Sequence, residues 1–539
     1  MTGKSMIAMA LFLTVSLSGL VLSLSHSEIP SAAAQSSISH SERPVIDQLN
    51  QQFRQHYSER ELEPARLANS LTVARRLSLG LMGTIPSLED VRTLESLPEE
   101  ERIAWWLEQV LQDRRSADYL AERFARSFVG TEDGPFLVYR RRRFVTWLSD
   151  QLHANQPYDQ IVCSLISDTG LWTDSPAVNF ITVTNDVNDD DQPDAERLAA
   201  RTTRAFLGVR LDCVQCHDDN LDGKWVQQDF HQLAAFFCEA ESSLLGIRDK
   251  ENAEYRYKYL HATDEQLVEP AVPFGADLLD QVRQSQPGNR RQLLAKWVTH
   301  QDNQPFARLM VNRIWALLFG RPLVEPIDSV PLNGPFPPGL ELLAADFAQH
   351  GYDVRRLIRV IALSDVFQRD SQADNASELM EEQWALFPLS RLRPEQVSGS
   401  VVQASSLKTI DAESHILVKL IRAGEKNEFI KRYGDAGEDE YTNRPGTIPQ
   451  RLLMMNGKLV QERTKDDLLF NASTRIARLS KNNQTCVEAA FLTTLTRRPS
   501  ADELAYFMNR LETSDQSRSQ VLEDLFWVLL NSTEFSWNH

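Results

Sequence analysis

Apolar residues spaced three and four positions apart are the feature that most limits the folds open to this sequence. In its first helical stretch they stand at Leu67, Leu71, Ala74, Leu77 and Leu81. This spacing places them on one face of an α-helix, where they can pack against a neighbouring element. The pattern returns after residue 289 and continues to the end of the sequence, with interruptions where prolines cluster. The sequence therefore predicts a mainly α fold.

One helix boundary can be located from turn and cap residues. The segment Ile85-Pro86-Ser87-Leu88-Glu89 separates two apolar-periodic stretches. Proline lacks the backbone N–H that a helix interior requires, and a serine hydroxyl can accept from the first free N–H groups of a new helix. We expect Pro86 to end one helix and Ser87 to cap the next.

Two helical domains joined by an irregular linker are predicted from length and from a change in composition. A chain of 539 residues exceeds the size of one ordinary core. A polar stretch containing several prolines and glycines separates the two halves. The predicted organisation is a signal peptide at 1–34, a flexible leader at 35–44, an N-terminal domain at 45–240, a linker at 241–288 and a C-terminal domain at 289–539.

The N-terminus is typical of a secretory signal peptide. Lys4 precedes an apolar run from Met6 to about Leu24, and Ala32 and Ala34 form an A-x-A cleavage pattern. A positive start, an apolar middle and small residues at the end define such a signal. The alternative is an uncleaved membrane anchor, because the run is close to the length of a membrane span. Both interpretations predict an exported protein in the periplasm or at the cell surface.

The charge balance argues against a nucleic-acid partner. The net charge is -18 and the isoelectric point is about 5.2. A phosphate backbone is repelled on average by a protein of this charge unless a local basic patch overrides the repulsion. We therefore expect no nucleic acid among the partners, and no membrane contact beyond the possible N-terminal anchor.

The strongest chemical signature is Cys213-Val214-Gln215-Cys216-His217. In c-type cytochromes two thiols with this spacing add to the vinyl groups of haem, and the adjacent histidine binds the iron. Cys213, Cys216 and His217 stand at positions i, i+3 and i+4, so one helical turn would place them on the same side. The motif predicts haem c as the cofactor, with His217 as an iron ligand.

Other chemistry fits the same residues. The two thiols and His217 could hold zinc together with Cys238 or an aspartate, or the thiols could form a redox or structural disulfide. The sixth iron ligand is also open, with His231 as the leading candidate and His261, Met454 and Met455 as weaker ones. Acidic residues surround the motif, and their charge should lower a reduction potential by stabilising the ferric state. They are Asp212, Asp218, Asp219 and Asp222.

Several short pieces of the first half are typical of a known family. They are 74–79, Trp147-Leu148, 157–159, 203–208, 213–218, Asp229-Phe230 and 235–237. Through them the first half resembles the planctomycete-type cytochrome-like family, the domain of unknown function numbered 1549. The second half has pieces of the same kind at 294–297, 302–308, 311–315, 391–396, 497–500 and 529–535. Through these it resembles that family's usual companion, the domain of unknown function numbered 1553.

The resemblance implies an exported protein of planctomycetes or related bacteria whose biochemical activity is not established. This sequence departs from the family pattern after the motif. Relatives commonly continue Cys-His-Asp-His-Lys-Phe-Asp-Pro, whereas here Asp219 stands in place of the second histidine. His231 stands where relatives usually have tyrosine, and we expect it to compensate as the sixth ligand.

The leading hypothesis is an exported c-type haem-binding protein that transfers electrons or assists a redox reaction with an unknown partner. The alternative is a non-haem extracytoplasmic scaffold or accessory module with a structural metal or disulfide at the motif. Whether the chain is an enzyme stays open, since the second half shows no catalytic constellation of its own. There, Asn312, Arg313 and Trp315 are expected to belong to a helix that packs its Trp and Ile while Arg313 caps or pairs, and Glu395 is expected to form an ion pair at a helix start.

Overall fold

Helices make up nearly all of the regular structure. The computed structural model describes residues 41–131, 139–185, 190–218, 225–410, 428–434, 441, 446–468 and 471–539. The predicted signal peptide at 1–34 lies outside these residues, as does the leader apart from its last residues. Residues 39–539 form one compact unit. The prediction of a mainly α fold is confirmed.

The first half begins with α1 to α10. They are α1 (Arg43–Glu59), α2 (Ser70–Met82), α3 (Leu88–Ser96), α4 (Glu99–Gln112), α5 (Arg114–Val129), α6 (Arg141–His153), α7 (Tyr158–Ser167), α8 (Asn179–Thr182), α9 (Ala195–Thr202) and α10 (Gln227–Ala234). A π-helical segment, Thr203–Leu207, continues α9 directly.

The segment predicted as an irregular linker, 241–288, contains more regular structure than its polarity indicated. It holds most of the hairpin β1 (Ala240–Ser243) and β2 (Gly246–Asp249), the short pair β3 (Arg256–Tyr257) and β4 (Gln266–Leu267), and α11 (Ala276–Ser285). Both strand pairs are antiparallel. Only one residue of β1 and one of β2 are fully buried, and none of β3 or β4 is, which explains why the sequence showed no strong apolar alternation.

The second half is built from α12 to α24. They are α12 (Arg290–Val298), α13 (Gln304–Phe319), α14 (Leu340–Gln349), α15 (Val354–Ala362), α16 (Asp365–Gln368), α17 (Glu378–Glu382), α18 (Pro394–Ala404), α19 (Ile448–Asn456), α20 (Lys458–Thr464), α21 (Ala472–Leu479), α22 (Asn483–Leu495), α23 (Ala501–Thr513) and α24 (Arg518–Leu530). The strands β5 (Ser390–Arg391) and β6 (Trp537–Asn538) pair antiparallel.

The boundary around α2 and α3 is partly as predicted. Ser87 caps α3, and its hydroxyl and the Asp90 side chain form a capping box. The helix before it ends earlier than expected, because Gly83 adopts a left-handed conformation at φ +65° and closes α2. Leu67 was expected on the face of this helix, but it lies before α2, is half exposed and bridges to Arg369.

Helix α13 lies at the centre of the structure. Every residue from Phe306 to Phe319 is buried. Trp315 stacks on Phe319 at 4.3 Å between ring centroids and also faces Phe53 of α1. The Asn312 side-chain amide donates to the Val324 and Ile327 carbonyls. The prediction that Trp315 and Ile314 pack from a helix is thus confirmed.

The two halves share one hydrophobic core. In the cluster formed by α18 to α24, Leu79, Ile85, Leu88 and Val91 of the first half pack together with buried residues of the second half such as Phe491. Burial of this apolar surface requires both halves. The two predicted domains are consecutive in sequence, and in space their helices are packed against each other.

Two adjacent buried arginines on α2 reinforce this packing. Arg75 donates to the carbonyls of Thr494 and Phe535. Arg76 donates to the backbone oxygens of Phe367, Arg369 and His539, and its guanidinium lies 3.7 Å from the centroid of the Phe387 ring. Burial lowers the pKa of Arg75 to about 10 and that of Arg76 to about 9, so both stay charged at neutral pH.

A second buried ionic cluster joins α5 to the start of α18. Glu395 accepts hydrogen bonds of 2.9 Å from both Arg123 and Arg393. Burial alone would raise the pKa of Glu395, but the two arginines outweigh it and hold that pKa at about 2. The prediction that Glu395 forms an ion pair at a helix start is confirmed.

Arg76→Ala should strongly destabilise the protein, because three buried or partly buried backbone oxygens lose their donor. We expect a loss of about 3 kcal/mol or more in the free energy of unfolding. The measurement is urea unfolding followed by circular dichroism. The matched control is Arg92→Ala on α3, an exposed arginine, which should change stability by less than about 0.5 kcal/mol. Equal unfolding midpoints for the two variants would contradict this role of Arg76.

Low pH should lower the free energy of unfolding, because Glu395 becomes protonated. Its pKa in the folded state lies below the ordinary value of 4.5, so its contribution is fully present above pH 4.5 and is lost as the pH falls towards 2. Glu395→Gln should remove this acid-dependent component and cost about 3 to 5 kcal/mol at pH 7, because two buried arginines lose their carboxylate. Urea unfolding at pH 7, 4.5 and 3 measures both effects, with the exposed Glu100→Gln as control.

Candidate functional site

The Cys-His motif lies between α9 and α10. The π-helical segment ends at Gly208, whose left-handed φ of +63° turns the chain, and a short 3-10 turn, Asp212–Gln215, follows. The thiols of Cys213 and Cys216 are free, and both residues are exposed. The structure therefore leaves both sulfurs accessible to a covalent partner.

His217 is exposed beside the two thiols, and its ring has a defined tautomer. Its Nδ1 lies 2.8 Å from the backbone oxygen of Asp218. A carbonyl oxygen can only accept, so Nδ1 carries the proton and Nε2 of the neutral ring carries the lone pair. Metal-bound histidines commonly use this arrangement, with one nitrogen bonded to a carbonyl and the other to the metal.

The carbonyl oxygen of Gln215, in the middle of the motif, is fastened by three donors. His231 Nε2 and Gln227 Nε2 each lie 3.1 Å from it, and the Tyr257 hydroxyl lies 3.3 Å from it. The side-chain amide of Gln215 donates to Glu196. These bonds fix the backbone of the motif, while the thiols of Cys213 and Cys216 are exposed at the surface.

His231, the predicted sixth ligand, is completely buried under the motif. In addition to its bond with the Gln215 carbonyl, its Nδ1 lies 2.8 Å from the Tyr255 hydroxyl, and its ring stacks on Tyr257 at 3.3 Å between centroids. Burial lowers the pKa of His231. Both ring nitrogens are engaged, so binding iron would require breaking one of these bonds.

The weaker ligand candidates occupy different surroundings. Met454 is buried in the hydrophobic cluster formed by α18 to α24, and Met455 is half-buried beside it on α19. His261 is exposed. Cys238, the possible fourth zinc ligand, accepts from Arg290 at 2.9 Å and donates to the Ala253 carbonyl. The part of the chain that the structure describes contains no group of three or more His, Cys, Asp or Glu side chains placed to hold a metal ion.

Several supporting residues were not found from the sequence. Tyr255, Tyr257 and Gln227 stand 12 to 42 positions away from Gln215 and carry no motif of their own. Residues 219–223, where this sequence departs from the family pattern, lie outside the described residues. Within the described residues, no helix is both long enough and apolar enough to span a membrane.

Comparison with family models identifies both halves. Residues 48–242 match PSCyt2, protein of unknown function (DUF1549), and residues 290–511 match PSD1, protein of unknown function (DUF1553). This chain is a DUF1549–DUF1553 protein. The order of the two segments is the predicted one. No curated protein matches the chain, and no solved structure does. The Cys-His motif and His231 belong to the DUF1549 segment of this DUF1549–DUF1553 protein, and Glu395 belongs to the DUF1553 segment.

His231→Ala should loosen the motif, because it removes one donor to the Gln215 carbonyl and leaves a cavity below it. We expect a loss of about 2 kcal/mol in stability and faster amide hydrogen exchange at residues 211–218. His231→Gln keeps an N–H donor and should restore part of the protection. The control is His300→Ala, a partly exposed histidine outside the motif. Unchanged exchange at 211–218 in His231→Ala would contradict the supporting role.

Proposed function

We propose that this DUF1549–DUF1553 protein is an exported c-type haem-binding protein that transfers electrons or assists a redox reaction with an unknown partner. Cys213 and Cys216 would hold the haem through thioether bonds, and His217 would bind the iron through Nε2. The proposal includes the location, periplasmic or cell-surface, which depends on the signal-peptide pattern of residues 1–34.

The observation that carries the proposal is the exposure of both thiols beside a histidine with a free Nε2. Attachment of haem requires reduced, accessible sulfurs, and Cys213 and Cys216 are free and exposed. The bond from His217 Nδ1 to the Asp218 carbonyl leaves Nε2 available for the iron. The donor set therefore fits the group that the Cys-x-x-Cys-His spacing predicts.

The attachment step needs no external oxidant. Each thiol would add across one vinyl group, so that an S–C bond forms, the C=C bond becomes single and the thiol proton passes to the neighbouring carbon. The haem supplies one-electron chemistry when bound. The chain's own residues hold it: Gln227, His231 and Tyr257 fix the Gln215 carbonyl, and with it the positions of the two thiols.

The electrostatic surroundings favour a low reduction potential. Asp212 and Asp218 are exposed next to the thiols, and Asp218 accepts from the backbone N–H of Gln227 at the start of α10. This bond keeps one carboxylate close to His217. Negative charge beside the iron stabilises the ferric state and lowers the potential.

The test is expression of the full chain, with its leader, in a host that has haem-ligation machinery. We expect denatured protein to keep its haem, with a pyridine haemochrome spectrum of the thioether type and a stained band on a haem-stained gel. Cys213→Ala with Cys216→Ala should abolish the stain. Cys163→Ala, at a half-buried thiol bonded to Thr299, is the matched control and should stain like the wild type.

His217→Ala separates attachment from ligation. Both thioether bonds can form in this variant, so the stain should remain while the visible spectrum changes because the iron loses a strong-field ligand. A wild-type protein without covalent haem under these conditions, but with zinc on metal analysis or a disulfide between Cys213 and Cys216, would favour the alternative function as a non-haem scaffold or accessory module.

A further inference from the structure

A cavity of about 480 Å³ opens beside the Cys-His motif, between the DUF1549 and DUF1553 segments. Asp212 and Gln215 of the motif form part of its wall, and Arg313 of α13 forms another part. Cavities of this size are typical of sites for small molecules. The wall is strongly polar, so an apolar ligand would find few contacts.

Three arginines of one helical face line this cavity. Arg197 and Arg201 lie on α9 and Arg204 lies on the π-helical segment that continues it, at positions i, i+4 and i+7. This spacing brings their side chains to the same side of the helix. Arg204 is paired with Asp328, whereas Arg197 is exposed. Like charges at such spacing repel one another, so an anion bound between Arg197 and Arg201 would relieve that repulsion.

Four carboxylates also line the cavity, those of Asp194, Glu196, Asp212 and Asp328, and three of them accept hydrogen bonds that fix the wall. Asp194 accepts from the backbone N–H of Arg197. Asp328 is shared by Arg204 and Arg210, and these bonds lower its pKa although burial opposes them. Glu196 accepts from the Tyr255 hydroxyl and from the Gln215 side chain. These acids hold the wall together and fix the motif to it.

Arg313 is held in a defined position at the edge of the cavity. It is 8% exposed and donates to the carbonyls of Arg204 and Ala205 in the π-helical segment. π-helical turns occur frequently at functional sites. A planar guanidinium fixed in this way is suited to bind an oxyanion, because little side-chain entropy remains to be lost.

We propose that this cavity binds a small ligand through an oxyanion group, a carboxylate or a sulfate, which Arg197, Arg201 and Arg313 contact beside the motif. The oxyanion comes either from a free small molecule or from the propionates of a haem held by Cys213 and Cys216. Only the second source rests on the proposed function. In both cases the arginines hold the negatively charged group of the ligand next to the Cys-His motif.

The test uses the full chain carrying Cys213→Ala and Cys216→Ala, so that no thioether-linked group is present. Inorganic sulfate and malonate are titrated by calorimetry against chloride at equal ionic strength. We expect saturable binding of sulfate or malonate, weakened at least about tenfold by Arg197→Gln with Arg201→Gln. The matched control is Arg92→Gln, an exposed arginine that does not line the cavity. Absence of binding up to about 10 mM, or equal affinity in all variants, would overturn the proposal.

Two further measurements complete the design. Arg197→Gln alone, at an exposed position, keeps the test valid if the double variant fails to fold, and should weaken binding on its own. Haem-loaded wild type is titrated in parallel. Binding by both forms identifies a free ligand, and binding only without haem identifies the propionates as the occupant. A protein that carries no haem but binds sulfate would refute the proposed function and leave this inference intact.

Discussion

Buried guanidinium groups that donate to main-chain oxygens are the interaction on which the rest of this structure depends. Arg75 and Arg76 are adjacent in α2, and because successive side chains leave a helix in different directions, they reach different parts of the second half. A charged group is stable inside a protein only when hydrogen bonds replace its water. The carbonyls of Phe367, Arg369 and Phe535 supply those bonds, so the position of α2 is defined by distant segments.

Hydrogen bonds to a main-chain oxygen also fix the Cys-His motif, but here several donors share one carbonyl. There a single carbonyl oxygen, that of Gln215, is fixed by buried or half-buried donors, His231 among them. The support is rigid and the thiols above it are exposed. In this arrangement a large ligand can bind at the thiols without disturbing the core. Preorganised groups also lose little conformational entropy on binding. Arg313 extends the support to α13, because it holds the carbonyls of the segment that leads into the motif.

Local sequence patterns predicted the helical fold, the Ser87 cap and the ion pair of Glu395. They failed where distant residues decide the structure. Arginine is usually exposed, so nothing in the sequence marked Arg76 as buried. The role of Tyr257 depends on a contact between segments 42 positions apart, and α2 ends at Gly83 because a left-handed residue terminates a helix before the later proline can. The helix propensity of single residues does not indicate which distant segments will come into contact.

The bonds of Arg75 and Arg76 join residues separated by 291 to 463 positions in the chain. Contacts of such separation form late, since the entropy of closing long loops must be overcome before they contribute. The two arginines of the DUF1549 segment therefore find these acceptors only after the second half of the chain has been synthesised. The two family segments are separate units of sequence classification, but we expect them to fold as one cooperative unit, because loss of the second half would leave Arg75 and Arg76 without these acceptors.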